Sequence, residues 1–114
     1  MPAKLSTHVL DLTTGKPAAG VQVELWRRDG TPQKITMVTT NQDGRTDSPL
    51  LGAEELTPGR YELVFQVKNY FSDLGVECTF LEDVPIRFAI TDPSASYHVP
   101  LLVTPWGYST YRGS

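Results

Sequence analysis

Proline and glycine, nine of each, cut this chain into short pieces at steady intervals. That spacing favours an all-β sandwich or barrel, because each piece is bounded by a turn and is long enough for one strand. The pieces themselves read as strands. In VQVELWRR (21–28), Val21, Val23 and Leu25 share one face, and Gln22 and Glu24 the other. RYELVFQV (60–67) alternates Tyr61, Leu63, Phe65 and Val67 against Glu62 and Gln66, and VPIRFAIT (84–91) turns Val84, Ile86, Phe88 and Ile90 inward. KITMVTT (34–40) is rich in β-branched residues, and KLSTHVL (4–10), SYHVPLLV (96–103) and WGYSTYR (106–112) complete the set. One segment departs from alternation: Tyr70, Phe71 and Leu74 in KNYFSDLG (68–75) sit at helical spacing, with Gly75 as a C-terminal cap. A further helical turn is expected at GAEEL, and DLTTGKPAAG (11–20) and NQDGRT (41–46) read as loops. The expected fold is a two-sheet sandwich of seven or eight strands with one short helix, in a single domain over 1–114.

A chain of 114 residues can bury roughly two thirds of the surface it exposes when open, enough for one core. The 39% hydrophobic content excludes a disordered chain. Net charge is −3 with Lys and Arg scattered singly, so no basic stripe suggests a nucleic-acid partner. Cys78 is the only cysteine, which rules out a disulfide within the chain. The opening MPAKLSTHVL lacks the apolar core of a secretory signal, and no run approaches the ~20 apolar residues of a membrane helix. The expectation is a cytoplasmic protein with no membrane partner.

His8 and His98 are the only histidines, and histidine is the side chain best able to move a proton near neutral pH. Alternation sets His8 with Ser6 and Lys4, opposite Leu5, Thr7 and Val9, and sets His98 opposite Tyr97, Val99 and Leu101. Both imidazoles therefore point away from the core. Spacing alone favours two solvated strand histidines. Arg45 follows the Asp43–Gly44 turn; taken alone it is an exposed loop arginine, or else a fixed cation that binds a carbonyl or an anion. Tyr111 and Ser114 close the chain, and Asp43 and Asp47 flank Arg45 and serve the turn. There is no phosphate-binding glycine loop, no Gly-x-Ser-x-Gly elbow and no paired-cysteine metal site; two distant histidines without a signposted third ligand do not make a zinc site. No cofactor is expected. The final strand is aromatic and amphipathic, and at a sheet edge it would invite pairing with a second copy.

Two long stretches carry a resemblance. HVLDLTTGKPAAGVQV (8–23) and YHVPLLVTPWGYSTYRGS (97–114) resemble the N- and C-terminal signatures of the transthyretin-related family, and RYELVFQVKNYFSDLG is similar to its strand-then-helix. The ending YRGS resembles the enzyme branch, which hydrolyses 5-hydroxyisourate, rather than the hormone-carrier branch. The carrier has lysine in place of the first histidine and threonine in place of the tail tyrosine, so His8 and Tyr111 side with the enzyme. One departure is Val103-Thr104, where the family usually has Leu-Ser.

The resemblance implies a transthyretin-like sandwich of two four-stranded sheets. It implies a homotetramer, a dimer of dimers, with active sites in the channel between dimers. It also implies catalytic roles for His8, Arg45, His98 and Ser114, with His8, Arg45, Tyr111 and Arg112 binding the substrate 5-hydroxyisourate. An amide ring resists water, so a metal-free enzyme needs a base and an oxyanion partner. The two histidines divide the proton roles, Arg45 holds the developing charge, and Tyr111 closes the channel into a pocket. The rival readings are a transthyretin-like small-ligand carrier and a structural interaction domain. An ending that lines a site explains why the chain finishes on chemically capable side chains. Deleting Tyr111 to Ser114 is expected to abolish turnover of 5-hydroxyisourate while circular dichroism still reports a folded chain; full activity after the deletion would reject that role for the ending.

Overall fold

The structure, a computed structural model, describes residues 2–113. Its strands are short: β1 (Leu5–Ser6), β2 (Val9–Asp11), β3 (Lys16–Pro17), β4 (Gln22–Arg27), β5 (Gln33–Thr39), β6 (Gly59–Phe65), β7 (Val84–Ile90), β8 (Tyr97–His98), β9 (Leu101–Thr104) and β10 (Gly107–Thr110). The helix α1 (Val67–Asp73) follows β6. Two four-stranded sheets form, in the orders β10-β9-β2-β3 and β5-β4-β6-β7, and β1 pairs with β8. The all-β sandwich with one helix is as expected from the sequence.

Ten strands replace the seven or eight expected among the described residues, and proline chemistry accounts for most of the difference. The segment expected as one strand over 4–10 divides at Thr7–His8, and the segment over 96–103 divides at Val99–Pro100. Pro100 has no N–H to give a ladder, so regular pairing stops beside it. The two segments still run side by side and parallel, with Leu5 opposite Tyr97, Ser6 opposite His98 and Val9 opposite Leu101. Backbone bonds bridge the gap: Tyr97 N donates to Lys4 O at 2.9 Å, Val99 N to Ser6 O at 2.9 Å and Leu101 N to His8 O at 2.8 Å. The Thr7 hydroxyl donates to Val99 O at 2.7 Å and replaces the missing rung. The third addition, β3, lies in the stretch read as a loop and extends the first sheet by two residues.

The inward rows match the alternation. Leu5, Val9, Val23, Leu25, Leu63, Phe65, Val84 and Leu101 are fully buried between the sheets. Helix α1 adds Val67, Tyr70 and Phe71 to that core, whereas Leu74 is exposed. Gly75 terminates the helix with φ +72°, donating to Ser72 O at 3.0 Å, while Val76 N reaches Phe71 O at 2.9 Å. This double bond satisfies carbonyls the helix leaves open, and only glycine takes that φ without strain. GAEEL forms one hydrogen-bonded turn, with Leu56 N donating to Gly52 O at 3.2 Å.

Among the described residues one carboxylate is buried deep in this layer. Asp11 is 1% exposed, and its carboxylate accepts from Thr13 N at 2.8 Å, Thr13 Oγ1 at 2.5 Å and the Tyr70 hydroxyl at 2.8 Å. Three donors compensate the lost hydration of the charge. The bond to Tyr70 ties α1 to the end of β2. At the β9–β10 turn, the Thr104 hydroxyl accepts from Trp106 N and Gly107 N, both at 3.1 Å. A serine hydroxyl could make the same bonds, so the Thr104 departure keeps the turn. Strand β10 lies at the edge of its sheet. Among the described residues no helix is long and apolar enough to cross a membrane.

Candidate active site

The parallel pairing of β1 with β8 sets Ser6 against His98. The Ser6 hydroxyl lies 2.9 Å from Nδ1 of His98. His8 follows two residues later, on the same outward face and half-buried, while Leu5, Thr7 and Val9 face the core. The structure therefore places both imidazoles on the outer side of the sheet, as alternation requires, and near enough for charge on His8 to act on His98.

Arg45 reaches this face through a loop that is hydrogen-bonded at almost every residue. The Asn41 side-chain oxygen accepts from Asp43 N at 2.9 Å and Arg45 N at 3.2 Å. Asn41 N donates to Arg45 O at 2.7 Å, and the Asn41 amide donates to the Asp47 carboxylate at 3.0 Å. The turn is docked onto β2 by a bond of 2.8 Å from Val9 N to Gly44 O. Gly44 has φ +73°, and a Cβ there would stand 2.4 Å from Val9 O. Glycine is needed twice at this position, for the left-handed backbone and for the close approach. Arg45 is left exposed beside a hollow of about 180 Å³ lined with Lys4, Ser6, Thr7, Thr46 and Asp47. Among the described residues it pairs with no carboxylate.

The electrostatics follow from this placement. Burial holds the pKa of His98 below the usual histidine value, and the charges of Arg45, His8 and Lys4 push it further down. All three neighbours oppose a second proton on the ring. His98 is thus neutral near pH 7 and able to accept a proton. The tail adds a steric constraint. Gly113 N donates to His98 O at 2.7 Å, and a Cβ on Gly113 would come within 2.9 Å of His98 Cδ2.

Tyr111 and Arg112 lie elsewhere within the chain. Both line a cleft of about 260 Å³ with Ile86, Phe88, Tyr97 and Val99. Arg112 donates to Ser96 O at 3.0 Å and stacks 4.5 Å above the Tyr97 ring. The structure thus brings His8, Arg45 and His98 together and sets Tyr111 and Arg112 beside a different, more apolar cleft. The chain leaves the ladder after Thr110, so alternation no longer assigns faces there. Ser114 lies outside the described residues. Ser6 and Lys4 are the neighbours that sequence reasoning did not assign to the site; the only sequence signal was that Lys4 and Ser6 share the face of His8. Among the described residues, no three His, Cys, Asp or Glu side chains converge as a metal site.

Gly44 is the residue that seats Arg45 on this face, so Gly44→Ala is expected to break the Val9–Gly44 bond and displace the guanidinium. A loss of about 1–3 kcal/mol in urea unfolding, accompanied by a shift of the His98 ring resonances, is the expected result. Wild-type stability with unmoved resonances would contradict the role given to this turn.

Comparison with known proteins places this geometry in a family. Residues 5–113 match the model of the HIUase/Transthyretin family. The chain is 53% identical to a 5-hydroxyisourate hydrolase of Halalkalibacterium halodurans, with 100% of both proteins covered. It superposes on the structure of 5-hydroxyisourate hydrolase from Klebsiella pneumoniae with a TM-score of 0.82 at 39% identity, covering 98% of this chain and 94% of that one. It also superposes on the crystal structure of an (S)-allantoin synthase with a TM-score of 0.93 at 41% identity, covering 99% of this chain but 44% of that longer one. The chain belongs to the HIUase/Transthyretin family.

Proposed function

We propose that this chain is a hydrolase that opens the ring of 5-hydroxyisourate, giving 2-oxo-4-hydroxy-4-carboxy-5-ureidoimidazoline in the breakdown of urate. The convergence of two imidazoles and an unpaired guanidinium on one outward face carries the reading. The full-length likeness to 5-hydroxyisourate hydrolases supports the choice of substrate. A carrier of apolar ligands has no use for a cationic, proton-transferring cluster in its channel.

The reaction needs three things from the protein. Water must lose a proton as it attacks the ring amide carbonyl. The tetrahedral oxyanion must be stabilised. The departing ring nitrogen must receive a proton. His8 and His98 divide the two proton transfers, and Ser114 positions the water. Arg45 holds the carbonyl oxygen and the charge that grows on it, and with His8 it orients the planar substrate through its donors. Tyr111 and Arg112 contact the substrate in the assembled protein.

The assembly in this reading is a homotetramer, a dimer of dimers with the sites in the channel between them. The unpaired edge of β10 supports it, because pairing of that edge with a second copy continues the sheet. It also supplies the means by which the clefts holding Tyr111 and Arg112 meet the histidine face of other copies. The residues 1–114 act as one domain, in the cytoplasm.

Mixing the protein with freshly made 5-hydroxyisourate and following the decay of ultraviolet absorbance tests the reading. Decay far faster than the spontaneous rate is expected, with Arg45→Gln losing roughly 100-fold or more, the usual cost of one oxyanion donor. Because His98 titrates below the ordinary ~6.5, activity should persist through neutrality and fall on the acid side of that value as its ring gains a proton. Decay no faster than in buffer would end the proposal, and a flat profile from neutral to acid would remove histidine from it.

A further inference from the structure

Two observations on the His98 ring say more about it than that it is a proton carrier. Its Nδ1 is 2.9 Å from the Ser6 hydroxyl. Its Cβ, Cγ and Cδ2 are packed against Gly113, where any side chain would collide with the ring. The ring is therefore held on one nitrogen and along one edge. Among the described residues Nε2 has no hydrogen-bond partner, so it is the nitrogen left to meet water or substrate.

Which nitrogen carries the proton follows from what surrounds the ring. The charged and titratable groups acting on it are Arg45, His8 and Lys4, all of them cations or, for His8, a potential one. Arginine and protonated lysine offer only donors. Such surroundings favour a lone pair on the open nitrogen over an N–H. The neighbour of Nδ1 is a hydroxyl, which can accept. Ser6 Oγ has no other partner among the described residues, and the residue is half-buried, so its own proton is free to turn to solvent. An unassisted histidine prefers the opposite tautomer, with the proton on Nε2. A partner at Nδ1 is what reverses that preference.

We propose that Ser6 is a positioning residue: its hydroxyl oxygen accepts the Nδ1–H of His98, which keeps the Nε2 lone pair free and makes His98 the base for water. This rests on the hydrolase reading above. In the step, Nε2 takes a proton from water as the water oxygen bonds to the amide carbon, and the carbonyl pair moves onto oxygen beside Arg45. The tetrahedral intermediate then collapses, the ring C–N bond breaks, and the Nε2 proton is handed to the departing nitrogen by way of His8. The ring ends neutral, with Nδ1–H still on Ser6.

Nitrogen-15 NMR of the full chain above the titration of His98 reads the tautomer without any substrate. The expected spectrum has Nδ1 protonated and Nε2 bare in the wild type, with the proton returning to Nε2 in Ser6→Ala. Turnover is expected to fall roughly five- to tenfold in Ser6→Ala, the worth of one such bond, with KM little changed. Ser6→Thr keeps a hydroxyl and should retain both tautomer and rate. The titration of His98 gives a second sign: an accepting hydroxyl favours the imidazolium, so Ser6→Ala lowers the midpoint or leaves it in place, whereas a donating hydroxyl predicts a rise. A wild-type ring protonated on Nε2, a raised midpoint, or a folded Ser6→Ala protein with undiminished turnover would each overturn the assignment. A wild type that does not hydrolyse 5-hydroxyisourate would defeat the hydrolase reading instead, and the spectra alone would still decide where the proton lies.

Discussion

The whole site depends on two chain segments, some ninety residues apart, lying parallel and in one register. Leu5 is opposite Tyr97 and Ser6 opposite His98, and in the next pair of strands Val9 is opposite Leu101. A strand has a period of two, so a slip of one residue would send His98 into the core and Val99 into solvent. The register is fixed by apolar packing and by one buried hydrogen bond. On the inner side Leu5, Val9 and Leu101 are fully buried. At the gap beside Pro100, where the ladder loses a donor, the Thr7 hydroxyl takes Val99 O and prevents a loose joint. The packing that stabilises the fold is thus the same packing that aligns the histidines.

Charge is the second constraint. Lys4, His8 and Arg45 gather around a partly buried imidazole in a chain whose net charge is −3. Gathering like charges costs stability, and the protein accepts the cost through local scaffolding rather than through ion pairs. Asn41 holds the loop by its side chain and its backbone, Gly44 docks it on β2, and Asp47 is held by Asn41. The result is a guanidinium free for a ligand and an imidazole kept neutral. Those are the two states an amide hydrolase requires of its oxyanion partner and its base.

Much of this was legible in the sequence, for physical reasons. The inward rows of β4, β6 and β7 could be read because a half-buried strand writes its environment in every second residue. The helix was legible through the spacing of Tyr70 and Phe71 and through Gly75, although Leu74, at the same spacing, ends up in solvent. The outward direction of both histidines was also legible. Their proximity was not, since period-two patterns assign a face and never a neighbour. The same gap hid Ser6: on its strand it is one more small polar residue facing out, and only the pairing with β8 gives it a partner. Arg45 was ambiguous because a turn arginine is usually solvated, and what fixes it is the contact of Gly44 with Val9. Tyr111 and Arg112 lie past the last ladder pair, where alternation carries no information. The division of the two long segments was missed because the effect of Pro100 on the opposite strand is a tertiary one.

The site depends on Arg45 acting on His98 through space. The most direct measurement is the titration of the His98 ring by NMR in the wild type and in Arg45→Gln. The midpoint should lie below the ordinary histidine value in the wild type and rise when the guanidinium is removed, stopping short of that value because burial still acts on the ring. An identical midpoint in the two proteins would mean that the cation does not reach the imidazole, and that the two do not form one site.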